Sequence, residues 1–143
     1  MNFDPQNNIV KLCALGMTQE GLNEMEKASL IFQQAWNEST NDLERFISAH
    51  YLARHQKTIN DKLKWDETAL QHALKVQGVD ITGGLPSLYL NIAKGHEDLE
   101  NFEKAKLFYN EAKQFAELLP DDGYGKLLRS GIIKGIERLK DKL

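Results

Sequence analysis

The residues of this chain that could do chemistry are one cysteine, four histidines and a scatter of clustered carboxylates. Nucleophilic catalysis needs a Ser or Cys beside a His and an orienting carboxylate, on a support that fixes all three. Cys13 stands among Ile9, Val10, Leu12 and Leu15 and reads as a buried filler, not a nucleophile. His50 and His55 are five apart, about 140° around a helix, so they do not form the i, i+4 pair of a zinc helix. His96 falls on an apolar helical face and His72 on a helix surface. With a single cysteine, neither an intramolecular disulfide nor a Cys-based metal cluster can form. Glu97, Asp98, Glu100, Asp121 and Asp122 sit where turns and exposed faces are expected, and read as solvated.

Two further chemistries fail on pattern. The glycines of residues 78–85 (GVDITGGL) invite a phosphate-loop reading, but no Gly-Lys-Ser/Thr follows and no strand precedes them. A nucleic-acid methyltransferase would need a strand, a glycine-rich cofactor loop and further strands alternating with helices. No convincing strand is found. The expectation is therefore no enzyme, no catalytic residue, no cofactor and no metal.

At 143 residues, 41% hydrophobic and 27% charged, the chain has globular composition and length for one core, so a single domain is expected. Asn2, Asp4, Asn7 and Asn8 interrupt any apolar run near the start, and no segment approaches a membrane span. Together with the lone cysteine this suggests a soluble protein in a reducing compartment, the cytoplasm. The net charge of −3 argues against bulk nucleic-acid binding. The balance is uneven, since residues 124–143 carry about +4 and the remainder about −7. A solvated face on a last helix, favoured by the dipole at its C-terminus, accounts for that excess.

Apolar periodicity supplies the elements. Asp4 and Asn7 offer N-caps to a first helix through Leu15 and Gly16, and Met25, Ala28, Phe32, Ala35 and Trp36 share the face of a second. Asp42 to Gln56 reads as a third helix, with Asn41 and Glu44 as a capping pair, then a polar turn at 57–61 and a fourth helix at Leu63 to Gly78. Pro86 suits the first turn of a fifth helix carrying Tyr89, Ile92, Ala93 and His96. Phe102, Ala105, Tyr109 and Ala112 mark a sixth. Leu127, Leu128, Ile132, Gly135, Ile136 and Leu139 mark the last, in which Gly131 and Gly135 allow close approach to a neighbour.

Helices one and two superimpose on five and six by sequence: Leu12 on Tyr89, Leu15 on Ile92, Gly16 on Ala93, Met25 on Phe102, Ala28 on Ala105, Phe32 on Tyr109 and Ala35 on Ala112. Small residues at Gly16, Ala28, Ala93 and Ala105 let paired backbones approach. This pattern resembles the tetratricopeptide repeat, a 34-residue helix-turn-helix unit. The resemblance implies an all-α solenoid of about seven helices. Its parts are repeat one at 9–42, a degenerate repeat two at 43–78 lacking the expected aromatic, repeat three at 86–119 and a capping helix at 122–143.

Such proteins bind an extended peptide or a helix of a partner in a concave groove lined by the first helix of each pair. By that resemblance the groove here is lined by Cys13, Met17 and Glu20, by His50, Arg54 and Lys57, and by Leu90, Asn91, Lys94 and Glu97. Arg54, Lys57, Asn91 and Lys94 make its middle and far end donor-rich, and with His50 they are the partner-binding residues that the resemblance implies, suited to an acidic segment or a free carboxylate. The function implied is a non-catalytic protein-interaction adaptor. The alternative is a self-association module that forms a homo-oligomer.

Overall fold

A computed structural model describes residues 3–143. Among these residues there are seven α-helices and no strand: α1 (Asn8–Gly21), α2 (Met25–Glu38), α3 (Asp42–Ala53), α4 (Ile59–Ala73), α5 (Leu85–Asp98), α6 (Phe102–Ala116) and α7 (Gly123–Leu139). A 3-10 turn at Thr82–Gly84 precedes α5. The fold is an all-α helical repeat in which α1 pairs with α2, α3 with α4 and α5 with α6, while α7 packs on α6 and α5. The chain divides into two compact units, one reaching to Gly78 and the other beginning at Val79. The break falls in the glycine-containing loop.

Helix starts obey the local chemistry. The Asn7 side chain accepts hydrogen bonds from the Ile9 and Val10 amides, Asn41 from that of Glu44, Thr58 from that of Asp61 and Asp122 from that of Gly125. The Glu44 carboxylate turns back to the Thr40 amide at 2.9 Å and accepts from Asn7 Nδ2 at 2.8 Å, so one side chain ties the starts of α1 and α3 together. The Thr58 cap corrects the expected position of α4. It draws Ile59 to Asp61 out of the polar turn and into the helix, which then ends at Ala73. Likewise α3 ends at Ala53, where the amides of Arg54, His55 and Gln56 bond three residues back and tighten the chain into a turn.

The repeat is visible in backbone geometry as well as in residue types. α3 and α4 start 34 residues after α1 and α2 (Asp42 against Asn8, Ile59 against Met25), and α5 and α6 start 77 after them (Leu85, Phe102). Both α1 and α5 end in a Schellman motif. Glu24 N–H donates to Gln19 O at 2.8 Å and Asn23 N–H to Glu20 O at 3.0 Å, and 77 residues on Asn101 N–H donates to His96 O at 2.8 Å and Glu100 N–H to Glu97 O at 2.9 Å. Asn23 (φ 59°) and Glu100 (φ 62°) take the left-handed conformation that this turn demands.

Inside unit one, Ala28 and Phe32 of α2 are fully buried, and a Cβ added at Gly16 would collide with the Phe32 ring. Tyr51 of α3 stacks on that ring, with centroids 5.0 Å apart. Trp36 and Trp65 meet edge to face at 4.9 Å, and His72, half-buried beside them, hydrogen-bonds through Nδ1 to Asp42 at 2.8 Å. In unit two, Ala93, Ala105, Tyr109 and Leu139 form a core cluster, beside the equally buried Leu88, Ile92 and Ile132. His96 is buried and stacks on Phe108 at 5.4 Å, as a core histidine in an aromatic position should. Leu15 departs from its sequence counterpart: Ile92 is fully buried but Leu15 is 48% exposed.

Candidate partner-binding face

The C-terminal end of α3 and the turn after it gather three of the residues expected to bind a partner, and the structure gives each a distinct role. Arg54 is exposed, lies over the Tyr51 ring at 4.8 Å and donates from Nη2 to Glu20 Oε1 at 2.5 Å. The other Glu20 oxygen meets His55 Nε2 at 2.8 Å. Arg54 is thus directed at α1 by a carboxylate of its own chain. His50 is half-buried beside Tyr51, at 5.4 Å between rings. Burial, with the charges of Arg54 and Lys62 alongside, pushes its imidazole down to about 4, so it is neutral at pH 7. Lys57 follows the helix, exposed and without an ion pair among the described residues.

In unit two, Asn91 is half-buried on α5, and Lys94 is exposed and pairs with Asp98 one turn on at 2.6 Å. The structure therefore brings His50, Arg54 and Lys57 together on one unit and Asn91 and Lys94 together on the other. Of the further residues expected in the groove, Met17 is exposed, whereas Cys13 is buried and belongs to the core. Burial pushes the Cys13 thiol up to about 12, against a smaller lowering by Arg54. It is neither a partner contact nor a reactive thiolate.

The arrangement around Glu20 recurs around Glu97, 77 residues later. Arg138 of α7 donates from Nε to Glu97 Oε2 at 2.7 Å and from Nη2 to Oε1 at 3.0 Å, while Tyr109 Oη donates to Oε1 at 2.6 Å. Arg138 and Tyr109 hold the Glu97 carboxyl below the usual range, and burial with the adjacent carboxylate raises the Tyr109 phenol. In both units an arginine from the helix after the hairpin clamps the glutamate in the last turn of the hairpin's first helix. Glu97 is thus a half-buried anchor, not the solvated turn residue its sequence position suggests. No common spacing announces the two clamps, since Arg54 stands 34 residues after Glu20 and Arg138 stands 41 after Glu97.

The clamp aligns α7 with α3, setting Arg138 on Arg54 and Gly135 on Tyr51. A Cβ added at Gly135 would collide with the Tyr109 ring, so the glycine is what brings α7 against α6. On this alignment the buried stripe Phe46, Ala49 and Ala53 of α3 corresponds to Ser130, Ile133 and Glu137 of α7, all exposed. Two of the basic residues of α7 are also structural: Arg138, and Arg129, which donates to the Ala116 and Leu119 carbonyls at 3.1 and 3.4 Å and so satisfies the end of α6. Between α6 and α7 a groove of about 170 Å³ is lined by Lys113, Ala116, Glu117, Arg129, Ile132 and Ile133.

Among the described residues no cluster of His, Cys, Asp or Glu could hold a metal ion, and no helix is long and apolar enough to cross a membrane. No family model, curated protein or solved structure matches the chain.

Proposed function

We propose that this chain is a tetratricopeptide-type adaptor that binds a peptide or helix of another protein and performs no chemistry of its own, in the cytoplasm. The observation that carries the reading is the 34-residue offset between the helix starts of the first two hairpins, which is the period of that repeat. Supporting it, Lys57 has no ion-pair partner among the described residues and Lys94 pairs with Asp98 in an exposed i, i+4 pair, worth about 0.3–0.5 kcal/mol and easily exchanged for a partner carboxylate. Both suit an acidic segment or a terminal carboxylate, with Asn91 as a neutral donor. Arg54, held by Glu20, contributes less than its sequence position suggests.

Affinity capture from a lysate of the source cell tests this, comparing the parent with Lys57→Glu and Lys94→Glu variants whose helicity and melting are unchanged. One protein recovered by the parent and lost by either variant supports the reading and assigns the unit that binds. Equal recovery by all three removes these lysines from the site.

A second reading, self-association, is favoured by the exposure of Leu118, Tyr124 and Leu127 at the end of α6 and the start of α7. Light scattering across a concentration series distinguishes the two, because an adaptor without self-contacts keeps a constant mass.

A further inference from the structure

Three positions form the centre of each helical hairpin. In the first they are Gly16, Ala28 and Phe32, and in the third Ala93, Ala105 and Tyr109, small or aromatic side chains of which only the Tyr109 hydroxyl reaches charged groups, on Glu97 and Arg138. Counting 34 residues on from the first hairpin gives His50, Lys62 and Asp66 in the second, three ionisable side chains in place of a small residue, an alanine and an aromatic. Asp66 is 1% exposed. Its Oδ2 accepts from Lys62 Nζ at 3.0 Å, but Oδ1 is buried with no hydrogen-bond partner among the described residues. A carboxylate in that setting has lost its hydration at one oxygen and gained nothing there in return.

We propose that Asp66 is a proton-operated latch on the α3–α4 hairpin: the neutral acid keeps the pair closed, and ionisation opens it locally. Burial raises the carboxyl, and this outweighs the lowering by Lys62, while Glu67 on the same helix adds to the rise. On α3 the matching repeat position holds His50, itself neutral, which feels the charges of Arg54 and of the same Lys62. The sign follows from proton counting. Above 3.8 the unfolded carboxyl has lost its proton while the folded one still holds it, so stability falls as pH rises from there to the folded value. His50 acts oppositely, because the unfolded imidazole binds a proton below 6.5 and the folded one only near 4, so its contribution falls as pH falls across that window. The two must be separated.

The test is hydrogen exchange of the full chain between pH 4.5 and 8, corrected for intrinsic rates, comparing His50→Gln with the double variant His50→Gln, Asp66→Asn. With Asp66 present, the opening constant of α3 and α4 amides should rise with pH by up to about tenfold per unit until the folded value is passed, and it should stay level in the double variant. Amides of α6 should show neither trend. The latch is overturned if both chains share one pH dependence, or if the chain that keeps Asp66 becomes better protected as pH rises, which would mean that Lys62 holds a stabilising carboxylate. Direct carboxyl-carbon NMR titration of Asp66 in the unaltered chain is independent of any variant's folding. A midpoint at or below 3.8 overturns the proposal, and one above it supports it.

Discussion

Arg138 grips Glu97 through two hydrogen bonds, of 2.7 and 3.0 Å, and one of them shares its carboxylate oxygen with Tyr109. Three helices meet in that contact. Glu97 comes from α5, Tyr109 from α6 and Arg138 from α7, and the glutamate side chain is only 12% exposed. Replacing Arg138 with Met leaves that carboxylate short of two charge-assisted bonds and should lower stability by about 1.5–3 kcal/mol. Urea denaturation at pH 7 measures the loss, and a cycle with Glu97→Gln isolates the coupling.

The same clamp sets an acid limit. The folded Glu97 carboxyl lies below its ordinary 4.5, so its contribution is present above that value and is lost as pH falls through the lower, folded one. As pH falls from neutrality through that window, the parent should therefore lose more stability than Glu97→Gln does. Melting temperatures of both across the acid range check it, and equal losses would contradict the assignment.

Gly135 and Gly131 should respond in opposite directions to alanine. A Cβ at Gly135 meets the Tyr109 ring, held in place by Glu97 and Arg138, and should cost about 1–3 kcal/mol. At Gly131 the nearest atom to an added Cβ is Leu90 Cδ2 at 3.5 Å, an ordinary contact, so Gly131→Ala should gain up to about 1 kcal/mol of helix propensity. Thermal melts of the two variants decide the matter.

Glu100 occupies a left-handed position that glycine takes without strain. Glu100→Gly should stabilise the α5–α6 hairpin by about 0.5–1 kcal/mol, and Asn23→Gly should gain less, since asparagine tolerates the conformation better. A rise in melting temperature for the first that exceeds the second is the expected result.

Cys13 should be silent to thiol reagents in the folded chain at pH 8. Its burial and its raised thiol both suppress the thiolate. Labelling by an aromatic disulfide should proceed only as fast as unit one opens, and become immediate in denaturant.

The helix pairs are legible in the sequence because apolar periodicity is a property of each helix alone. Gly16 matches Ala93 and Phe32 matches Tyr109 because close packing admits few residue types. The start of α4 lies four residues earlier than periodicity places it, since Thr58 is a weak signal until its hydroxyl is seen to accept from Asp61. The middle register is hidden for a physical reason: Lys62 and Asp66 occupy the positions where an alanine and an aromatic would have announced it. Among the candidate binding residues, Arg54 and Lys94 are legible as surface cations, but their attachment to Glu20 and Asp98 depends on side-chain directions that spacing does not supply.

The exposed stripe of α7 bears on how such an array could be lengthened. α3 buries Phe46, Ala49 and Ala53, whereas α7 offers Ser130, Ile133 and Glu137 at the matching positions, a surface content with water and poorly shaped for another helix. Grafting a further hairpin onto that face of α7 would require rewriting Ser130 and Glu137 before any linker design mattered.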